Sequence, residues 1–298
     1  MKLAISDRLK KKIEEKPILL VGPTASGKSK IAMSLAMKLD RHIVNADSLQ
    51  VYSNWRILTA RPTIKDEQII PHHLYGHKAA DEEYSVGHWL RELSNILKTN
   101  KKIIIVGGTG LYFSALTEGL ANIPEISDET KIICKKRLLA YGIQDLVDDL
   151  DKETRESIDI KNQMRVIRAW EVLRETGKPL KKWQSETGTP ILPLTKCHPL
   201  FINPDKNDLD KKIRARFIQM VKIGALDEVR KNLDMWSTSV IASKAIGASE
   251  LSSYLKNEVS LDQAITNASI ATRQYAKKQR TWIRARMKQW DNITELIG

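Results

Sequence analysis

Cysteine is scarce in this 298-residue chain, which contains only Cys134 and Cys197. Two cysteines so far apart exclude a disulfide framework and a zinc site of closely spaced cysteines, and we expect both thiols to be reduced, as in a cytosolic protein. Long apolar runs are also lacking. No stretch reaches the roughly 18 apolar residues of a membrane span, and residues 1–16 contain no run long enough for a signal peptide. We therefore expect no contact with membranes and a cytoplasmic location.

Acidic residues are too few to balance the basic ones, since there are 36 Asp and Glu residues against 49 Lys and Arg residues. The net charge of +13 and the isoelectric point of about 9.6 favour a polyanionic partner, with nucleic acid ahead of an acidic membrane surface. A basic surface that serves only solubility would give the same totals. The hydrophobic content of 42% and the charged content of 29% are typical of a folded soluble protein.

The N-terminal part of the chain alternates short apolar runs with segments of helical spacing. Residues 17–21, 42–46 and 103–106 are predicted strands, and residues 28–39 and 86–98 have the apolar spacing of helices. Strands that alternate with helices predict a parallel sheet, because parallel strands need long crossover connections.

The middle of the chain, residues 125–187, shows helical spacing and charged surface but no convincing strand. One helix there is predicted to end at Gly177, because glycine followed closely by proline stops helices. Residues 188–204 contain four prolines and the apolar run 199–202, which we interpret as a return to the sheet, and the chain after Asp205 is predicted to be helical nearly to its end. The predicted domains are a core of residues 1–122 and 196–298 and a helical insertion of residues 123–195.

A phosphate-binding motif, G-x-x-x-x-G-K-[ST], lies between the first predicted strand and the first predicted helix, which is the context that the motif requires. Backbone N–H groups of such a loop face phosphate oxygens, and the helix N-terminus adds partial positive charge. Lys28 supplies a full charge, and the hydroxyl of Ser29 can hold a magnesium ion. The sequence thus predicts an α/β protein with a P-loop NTPase-like parallel sheet core, a helical insertion domain and a long helical C-terminal part. The motif residues are Gly22, Pro23, Thr24, Ala25, Ser26, Gly27, Lys28 and Ser29.

The usual second acid of an ATPase or kinase is missing, since the strand at 103–106 ends in Gly107 and Gly108. Asp47 instead follows the strand at 42–46, at the sheet edge where ligands gather. It suits three roles: general base, magnesium partner or helix N-cap. The glycine-rich turn at 107–110 would line the same crevice, although glycines there also serve packing.

A stripe of basic residues without acids marks the C-terminal region. Residues 263–290 contain seven Lys or Arg residues and no Asp or Glu, and Arg273, Lys277, Arg280 and Arg284 share one helical face. Like charges at this spacing repel each other, and phosphates would offset the repulsion. The stripe therefore favours a nucleic-acid partner.

Several separated segments, taken in order, resemble the bacterial tRNA dimethylallyltransferases, or isopentenyl-tRNA transferases. The resemblance implies transfer of a dimethylallyl group from dimethylallyl pyrophosphate to N6 of the adenosine just 3′ of the tRNA anticodon, with Mg²⁺ as cofactor and release of pyrophosphate. We also expect a monomer. The segments are GPTASGKS (22–29), ADSLQVY (46–52), TARP (59–62), PHHL (71–74), GGTGLY (107–112), RVIRAWEVLRETGKPL (165–180), AIGASEL (245–251) and TRQYAKKQRTWIR (272–284).

The resemblance also implies individual roles. Asp47 would be the general base and Thr109 would orient N6, while Thr24, Lys28, Ser29 and Arg216 would contact the donor pyrophosphate. Contacts with the anticodon stem-loop are implied for Asp47, Ser48, Leu49, Gln50, Thr109, Lys131, Met164, Arg165, Val166, Ile167, Arg168, Arg273, Lys277 and Arg280. The chain departs from the family pattern at Lys131, Met164 and Ala248, where members often have arginine, glutamine and tyrosine.

Three other functions fit part of this pattern. A kinase-like P-loop phosphotransferase would use the phosphate loop but not the basic stripe. A prenyltransferase for free AMP or ADP would need neither the stripe nor most of the insertion. A non-catalytic RNA-binding module would leave the phosphate loop without a purpose.

Overall fold

A single six-stranded sheet forms the centre of the fold. The computed structural model describes residues 16–233 and 245–293, and within them every strand pairing is parallel. The strands are β1 (Ile18–Val21), β2 (His42–Asn45), β3 (His72–His73), β4 (Ile103–Gly107), β5 (His198–Phe201) and β6 (Asp291–Asn292). Their order across the sheet is β3-β2-β4-β1-β5-β6.

The helices of the described residues connect these strands or follow them. They are α1 (Lys28–Leu39), α2 (Ile64–Ile69), α3 (Val86–Thr99), α4 (Gly110–Glu118), α5 (Asp128–Tyr141), α6 (Ile143–Asp148), α7 (Lys152–Ser157), α8 (Gln163–Thr176), α9 (Leu180–Ser185), α10 (Lys206–Lys222), α11 (Ala225–Asn232), α12 (Ala248–Leu255) and α13 (Leu261–Arg286). None of these helices has the length and apolar character needed to cross a membrane.

The predicted α/β fold with a parallel sheet is confirmed. Strands β1 and β4 are buried along their whole length, which is the pattern of a parallel sheet covered on both faces. Ser85 caps the N-terminus of α3, since its hydroxyl accepts a hydrogen bond from the His88 N–H. Gly177 caps the C-terminus of α8, where the sequence predicts that the helix stops. The short strands β3 and β6 were not predicted, because two residues are too few to show a periodicity.

The chain divides into two compact units. One unit contains the residues up to Thr117 and from Leu192 onward, and includes the sheet; the other is Glu118–Ile191, whereas the sequence places the limits of the insertion at 123 and 195. The second unit is helical apart from an isolated bridge between Ala121 and Thr187.

Each unit has its own apolar core. In the second unit the fully buried side chains of Leu146 and Val166 pack with Trp170 and the thiol of Cys134. In the first unit, helices α10 to α13 share a core around Trp55. Both cysteines are buried and unpaired.

Candidate active site

A cleft in the first unit lies at the carboxyl ends of β1 and β2. Thr24 and Ala25 follow β1, Asp47 follows β2, and Arg216 enters from α10. The space between them, measured out to bulk solvent, is about 630 Å³. Part of the cleft lining is apolar, and this apolar wall includes Leu49, Leu58, Ile213, Phe217 and Met220. Charged groups and an apolar wall therefore line the same small cavity.

The phosphate loop has the compact shape that its motif predicts. The N–H of Ser26 donates to the carbonyl of Pro23 at 3.2 Å, and α1 begins directly after Gly27. Lys28 is half-buried as a whole residue, and its ammonium donates to the same Pro23 carbonyl at 3.4 Å. The loop thus points the first turn of α1 and one lysine towards any anion that it encloses.

Two cations and one carboxylate set the electrostatics of the cleft. Burial lowers the pKa of Lys28 to about 8, while Asp47 opposes this shift and Arg216 adds to it. Burial also lowers the pKa of Arg216, again opposed by Asp47. The guanidinium of Arg216 donates to the hydroxyl of Thr24 at 3.3 Å. Lys28, Arg216 and the phosphate loop therefore form one positively charged group beside Asp47.

Asp47 sits in a turn that a buried asparagine holds in place. The side-chain oxygen of Asn45 accepts the Asp47 N–H at 2.8 Å, and its amide donates to the carbonyls of Asp47 and Leu74 at 2.9 and 3.0 Å. Oδ1 of Asp47 accepts the N–H of Leu49 at 3.0 Å. Residues 48–51 form a turn, so a role for Asp47 as helix N-cap is ruled out by the structure.

Thr109 joins the same turn from the loop after β4. Its hydroxyl accepts the N–H of Ser48 at 3.1 Å and donates to the Ser48 hydroxyl at 3.5 Å. Its own N–H donates to the carbonyl of Ala46 at 3.3 Å. The two residues expected to act on the acceptor, Asp47 and Thr109, are thus brought together by adjacent strands.

Comparison with known proteins decides the family. The sequence model of a protein family described as IPP transferase matches residues 50–286 of this chain. This chain belongs to the IPP transferase family. A curated relative from Cereibacter sphaeroides, named tRNA dimethylallyltransferase, is 50% identical over 279 residues, covering 94% of this chain and 89% of the relative. One from Ruegeria sp., with the same name, is 48% identical over 280 residues, covering 94% and 96%.

Solved structures of IPP transferases have the same architecture. The full-length tRNA isopentenylpyrophosphate transferase from Bacillus halodurans has a TM-score of 0.64 and 30% identity, over 93% of this chain and 89% of that one. A eukaryotic dimethylallyltransferase, described as acting on tRNA, has a TM-score of 0.75 and 25% identity, over 90% and 70%. The predicted family resemblance is confirmed.

The basic stripe of this IPP transferase lies on α13. Arg273, Lys277 and Arg284 are exposed, as an RNA-binding surface requires. Arg280 differs from them, because it is half-buried and its Nε is enclosed. Three of the four stripe residues are therefore open to solvent along their side chains.

Six further predicted RNA contacts, at Lys131 and at residues 164–168, belong to the second unit. Met164, Arg165 and Arg168 are exposed on α8, whereas Val166 is fully buried, so any RNA contact by Val166 is limited to its backbone. Lys131 is half-buried and lies 3.7 Å from the carboxylate of Asp128. In the first unit, the side-chain amide of Gln50 donates hydrogen bonds to the carbonyls of Thr59 and Ala60. Ala248, which departs from the family pattern, is fully buried in α12.

Sequence reasoning missed three residues that support the cleft. Asn45 shapes the Asp47 turn, and Gln279 of α13 contacts the phosphate loop. Glu228 of α11 accepts three backbone N–H groups from residues 56–58, beside the apolar wall. Asn45 and Gln279 lie next to or inside the segments that carry the resemblance, but a single polar residue in a sequence gives no sign of its distant partner.

Proposed function

We propose that this chain transfers a dimethylallyl group from dimethylallyl pyrophosphate to N6 of the adenosine just 3′ of the anticodon in tRNA. The observation that carries the proposal is the cleft itself, in which a phosphate loop with Lys28 and Arg216 lies beside Asp47 and the remaining lining includes an apolar wall. A diphosphate ester with a short branched hydrocarbon matches both the charged and the apolar parts of such a lining. The names of the relatives support the same substrates.

Asp47 is the proposed general base. The N6 lone pair of adenosine is delocalised into the purine, so the amine becomes a good nucleophile only as its proton is removed. In the proposed step N6 forms a bond to C1 of the dimethylallyl group, the C1–O bond breaks, pyrophosphate leaves and the N6 proton passes to the carboxylate. Thr109 is suited to orient N6, because its hydroxyl is held beside Asp47 by Ser48.

The cations of the phosphate loop are proposed to stabilise the leaving group. Negative charge grows on the pyrophosphate as the allylic C–O bond breaks, and donors that are already in place stabilise that charge without reorganising. Lys28 and Arg216 supply two positive charges, and the loop adds N–H groups and the Thr24 and Ser29 hydroxyls. We expect most of the rate acceleration to come from these contacts.

Mg²⁺ is the proposed cofactor. Within the described residues no group of three or more His, Cys, Asp or Glu side chains is arranged to hold a metal. The exposed hydroxyl of Ser29 at the start of α1 is a hard oxygen ligand of the kind that Mg²⁺ accepts. Mg²⁺ is commonly held by substrate phosphates together with few protein ligands, so Ser29 beside a bound diphosphate would suit it. The ion would neutralise part of the diphosphate charge.

The test of the function is nucleoside mass spectrometry of tRNA after incubation with the protein, Mg²⁺ and dimethylallyl pyrophosphate. We expect N6-isopentenyladenosine next to the anticodon and one pyrophosphate per modified tRNA, with a monomer as the active species. Conversion of a nucleoside triphosphate to the diphosphate with phosphorylation of a small acceptor would support the kinase-like alternative. Prenylation of free AMP in preference to tRNA would identify a free-nucleotide enzyme instead.

Asp47→Asn tests the base directly, because asparagine keeps the oxygen that accepts the Leu49 N–H but cannot take a proton. We expect the single-turnover rate to fall by about 10²- to 10⁴-fold, the usual size of general-base catalysis. The affinity for tRNA, measured by fluorescence anisotropy, should stay nearly unchanged. A large loss of affinity with an unchanged rate would make Asp47 a structural residue.

A further inference from the structure

Gln279 joins the two loops that form the reactive end of the cleft. Its Oε1 accepts the N–H of Thr24 in the phosphate loop at 2.8 Å, and its Nε2 donates to the carbonyl of Gly108 at 2.9 Å. The residue is 6% exposed and reaches both loops from α13. One buried side chain therefore ties the donor-binding loop to the loop that carries Thr109.

Helix α13 fits closely against the Gly108 loop at two points. A Cβ on Gly108 would lie 2.2 Å from Nε2 of Gln279, and a Cβ on Gly110 would lie 2.0 Å from the indole ring of Trp282. Real Cβ atoms essentially never approach other atoms so closely, so a side chain at Gly108 would displace the Gln279 amide and one at Gly110 would displace the Trp282 indole. The two contacting side chains, Gln279 and Trp282, are about one turn apart on α13, so the helix holds the loop at two points.

The partners of Gln279 lie on opposite sides of the proposed reaction. Thr24 accepts a hydrogen bond from Arg216 on the donor side, while Thr109, next to Gly108, holds the Ser48–Asp47 turn on the acceptor side. Transfer needs the leaving group and the nucleophile in line at a short distance, and a small misplacement is costly. We propose that Gln279 is a positioning residue that fixes the distance between the donor loop and the acceptor loop during transfer.

Only an amide suits this position. A buried N–H and a buried carbonyl must both be satisfied, so the side chain must accept at one atom and donate at the next. A carboxylate would accept at both atoms and would face the Gly108 carbonyl with another acceptor. The Gln279 amide also interacts with Tyr275, which lines the cleft one turn away on the same helix. Helix α13 therefore both lines the cleft, through Tyr275, and links the two loops, through Gln279.

Gln279→Met is the first test, since methionine has a similar length and makes neither hydrogen bond. This inference rests on the proposed transfer to tRNA, so wild-type protein is assayed alongside. With both substrates saturating, we expect kcat to fall by about 30-fold or more, the effect of losing two buried hydrogen bonds. The Kd values for pyrophosphate and for tRNA should each change less than threefold. Gln263→Met, an exposed glutamine near the start of the same helix, is the matched control and should leave kcat unchanged.

A double-mutant cycle separates positioning from a general loss of packing. If Gln279 acts through the loop that carries Thr109, Gln279→Met should slow a Thr109→Ala protein much less than it slows the wild type. Full additivity of the two effects on kcat would contradict the proposal. So would a Gln279→Met protein that regains the wild-type kcat at high donor concentration, because that pattern describes a residue that serves donor binding alone.

Gln279→Glu supplies a test that does not depend on the fold of the methionine variant. The ionised carboxylate can accept the Thr24 N–H but repels the Gly108 carbonyl, whereas the protonated acid can donate to it. We expect the ratio of the variant's kcat to that of the wild type to rise as the pH falls. A ratio that is independent of pH would overturn the proposal. If wild-type protein modifies no tRNA, the proposed function fails; if it does and both variants match it, only this inference fails.

Discussion

At the scale of single residues, the charge of Lys28 is expected to limit the pH range in which the proposed donor binds. Burial lowers the pKa of Lys28 to about 8, so its ammonium is intact below that pH and is lost as the pH rises through it. We therefore predict that kcat/KM for dimethylallyl pyrophosphate falls above pH 8. A neutral Lys28 loses a charge-assisted bond to the diphosphate, a loss of about 10- to 100-fold.

The fall should occur at higher pH in kcat than in kcat/KM, because a bound diphosphate stabilises the ammonium and raises its pKa. Lys28→Met is the control: its kcat/KM should be low throughout and should lack the step near pH 8. Steady-state rates from pH 6 to 10 in one mixed buffer measure both profiles. A wild-type kcat/KM that stays level through this range would show that the charge of Lys28 does not govern donor binding.

Residues in the phosphate motif were predictable because their chemistry is local. Strand, glycine turn, lysine and helix follow one another directly, and the motif restricts every position between Gly22 and Ser29. Asn45 and Gln279 could not be predicted in the same way. Their roles depend on partners that are distant in the chain, such as Thr24 for Gln279, and such pairs exist only once the sheet and α13 are assembled.

At the scale of elements, α11 holds the loop that carries part of the apolar wall. The carboxylate of Glu228 accepts the N–H groups of Arg56, Ile57 and Leu58 at 2.6, 2.8 and 2.9 Å. Glutamine has only one acceptor oxygen, so Glu228→Gln leaves at least one N–H facing another donor. We predict that urea denaturation will show a loss of about 1–3 kcal/mol in unfolding free energy, the range for an unsatisfied buried group.

The neighbouring carboxylate on α11 provides the control. Asp227 makes an exposed ion pair with Arg230, at 2.7 Å. Its replacement by asparagine should change stability by less than about 0.5 kcal/mol, as is usual for surface pairs. The KM for the donor should rise in Glu228→Gln, because Leu58 and Thr59 line the cleft, and stay constant in Asp227→Asn. Equal stabilities for the two variants would contradict the role given to Glu228.

The exposed stripe on α13 is the element expected to bind tRNA. Each phosphate contact releases a counterion, so losing contacts weakens binding and flattens its dependence on salt. We predict that Arg273→Glu combined with Lys277→Glu will lower the slope of log Kd against log salt by about one for each lost contact. The slope is measured by fluorescence anisotropy with an anticodon stem-loop at salt concentrations from 50 to 300 mM.

The matched control is Lys101→Glu combined with Lys102→Glu, which makes the same change in net charge. These exposed lysines precede β4 at the opposite edge of the sheet from the cleft. They should affect binding only through the long-range field, with the slope preserved. If both double variants lower the slope equally, α13 is not a specific RNA surface.

The longer strands and helices could be predicted from the sequence, whereas the shortest strands could not. The strands at β1, β2, β4 and β5 and the helix ending at Gly177 matched their patterns, because each has enough residues for a period or a stop signal to appear. Strands β3 and β6 have two residues each, and the sheet, not their own sequence, creates them. The stripe on α13 was correct in its spacing, but tertiary packing draws Arg280 partly inward.

At the scale of the whole molecule, the insertion has the properties of a separable unit. Its core is internal to Glu118–Ile191, and the residues on either side of it are already joined, since the N–H of Leu192 donates to the carbonyl of Leu116 at 3.0 Å. The insertion of residues 123–195 expected from the sequence stays a prediction, which rests on a stretch without a convincing strand. The limits of such a unit depend on contacts between distant parts of the chain, which a sequence does not show.

We therefore predict that a chain in which a short Gly-Ser linker joins Thr117 to Leu192 will fold and bind pyrophosphate with nearly unchanged affinity by calorimetry. Its affinity for tRNA should fall, and the salt slope should drop by about two, because Arg165 and Arg168 are removed. Full-length protein with Arg165→Glu and Arg168→Glu should show a similar loss of slope while keeping the insertion. If the deletion binds tRNA as tightly as the intact chain, the insertion serves another purpose, and α13 with the cleft must account for all recognition of RNA.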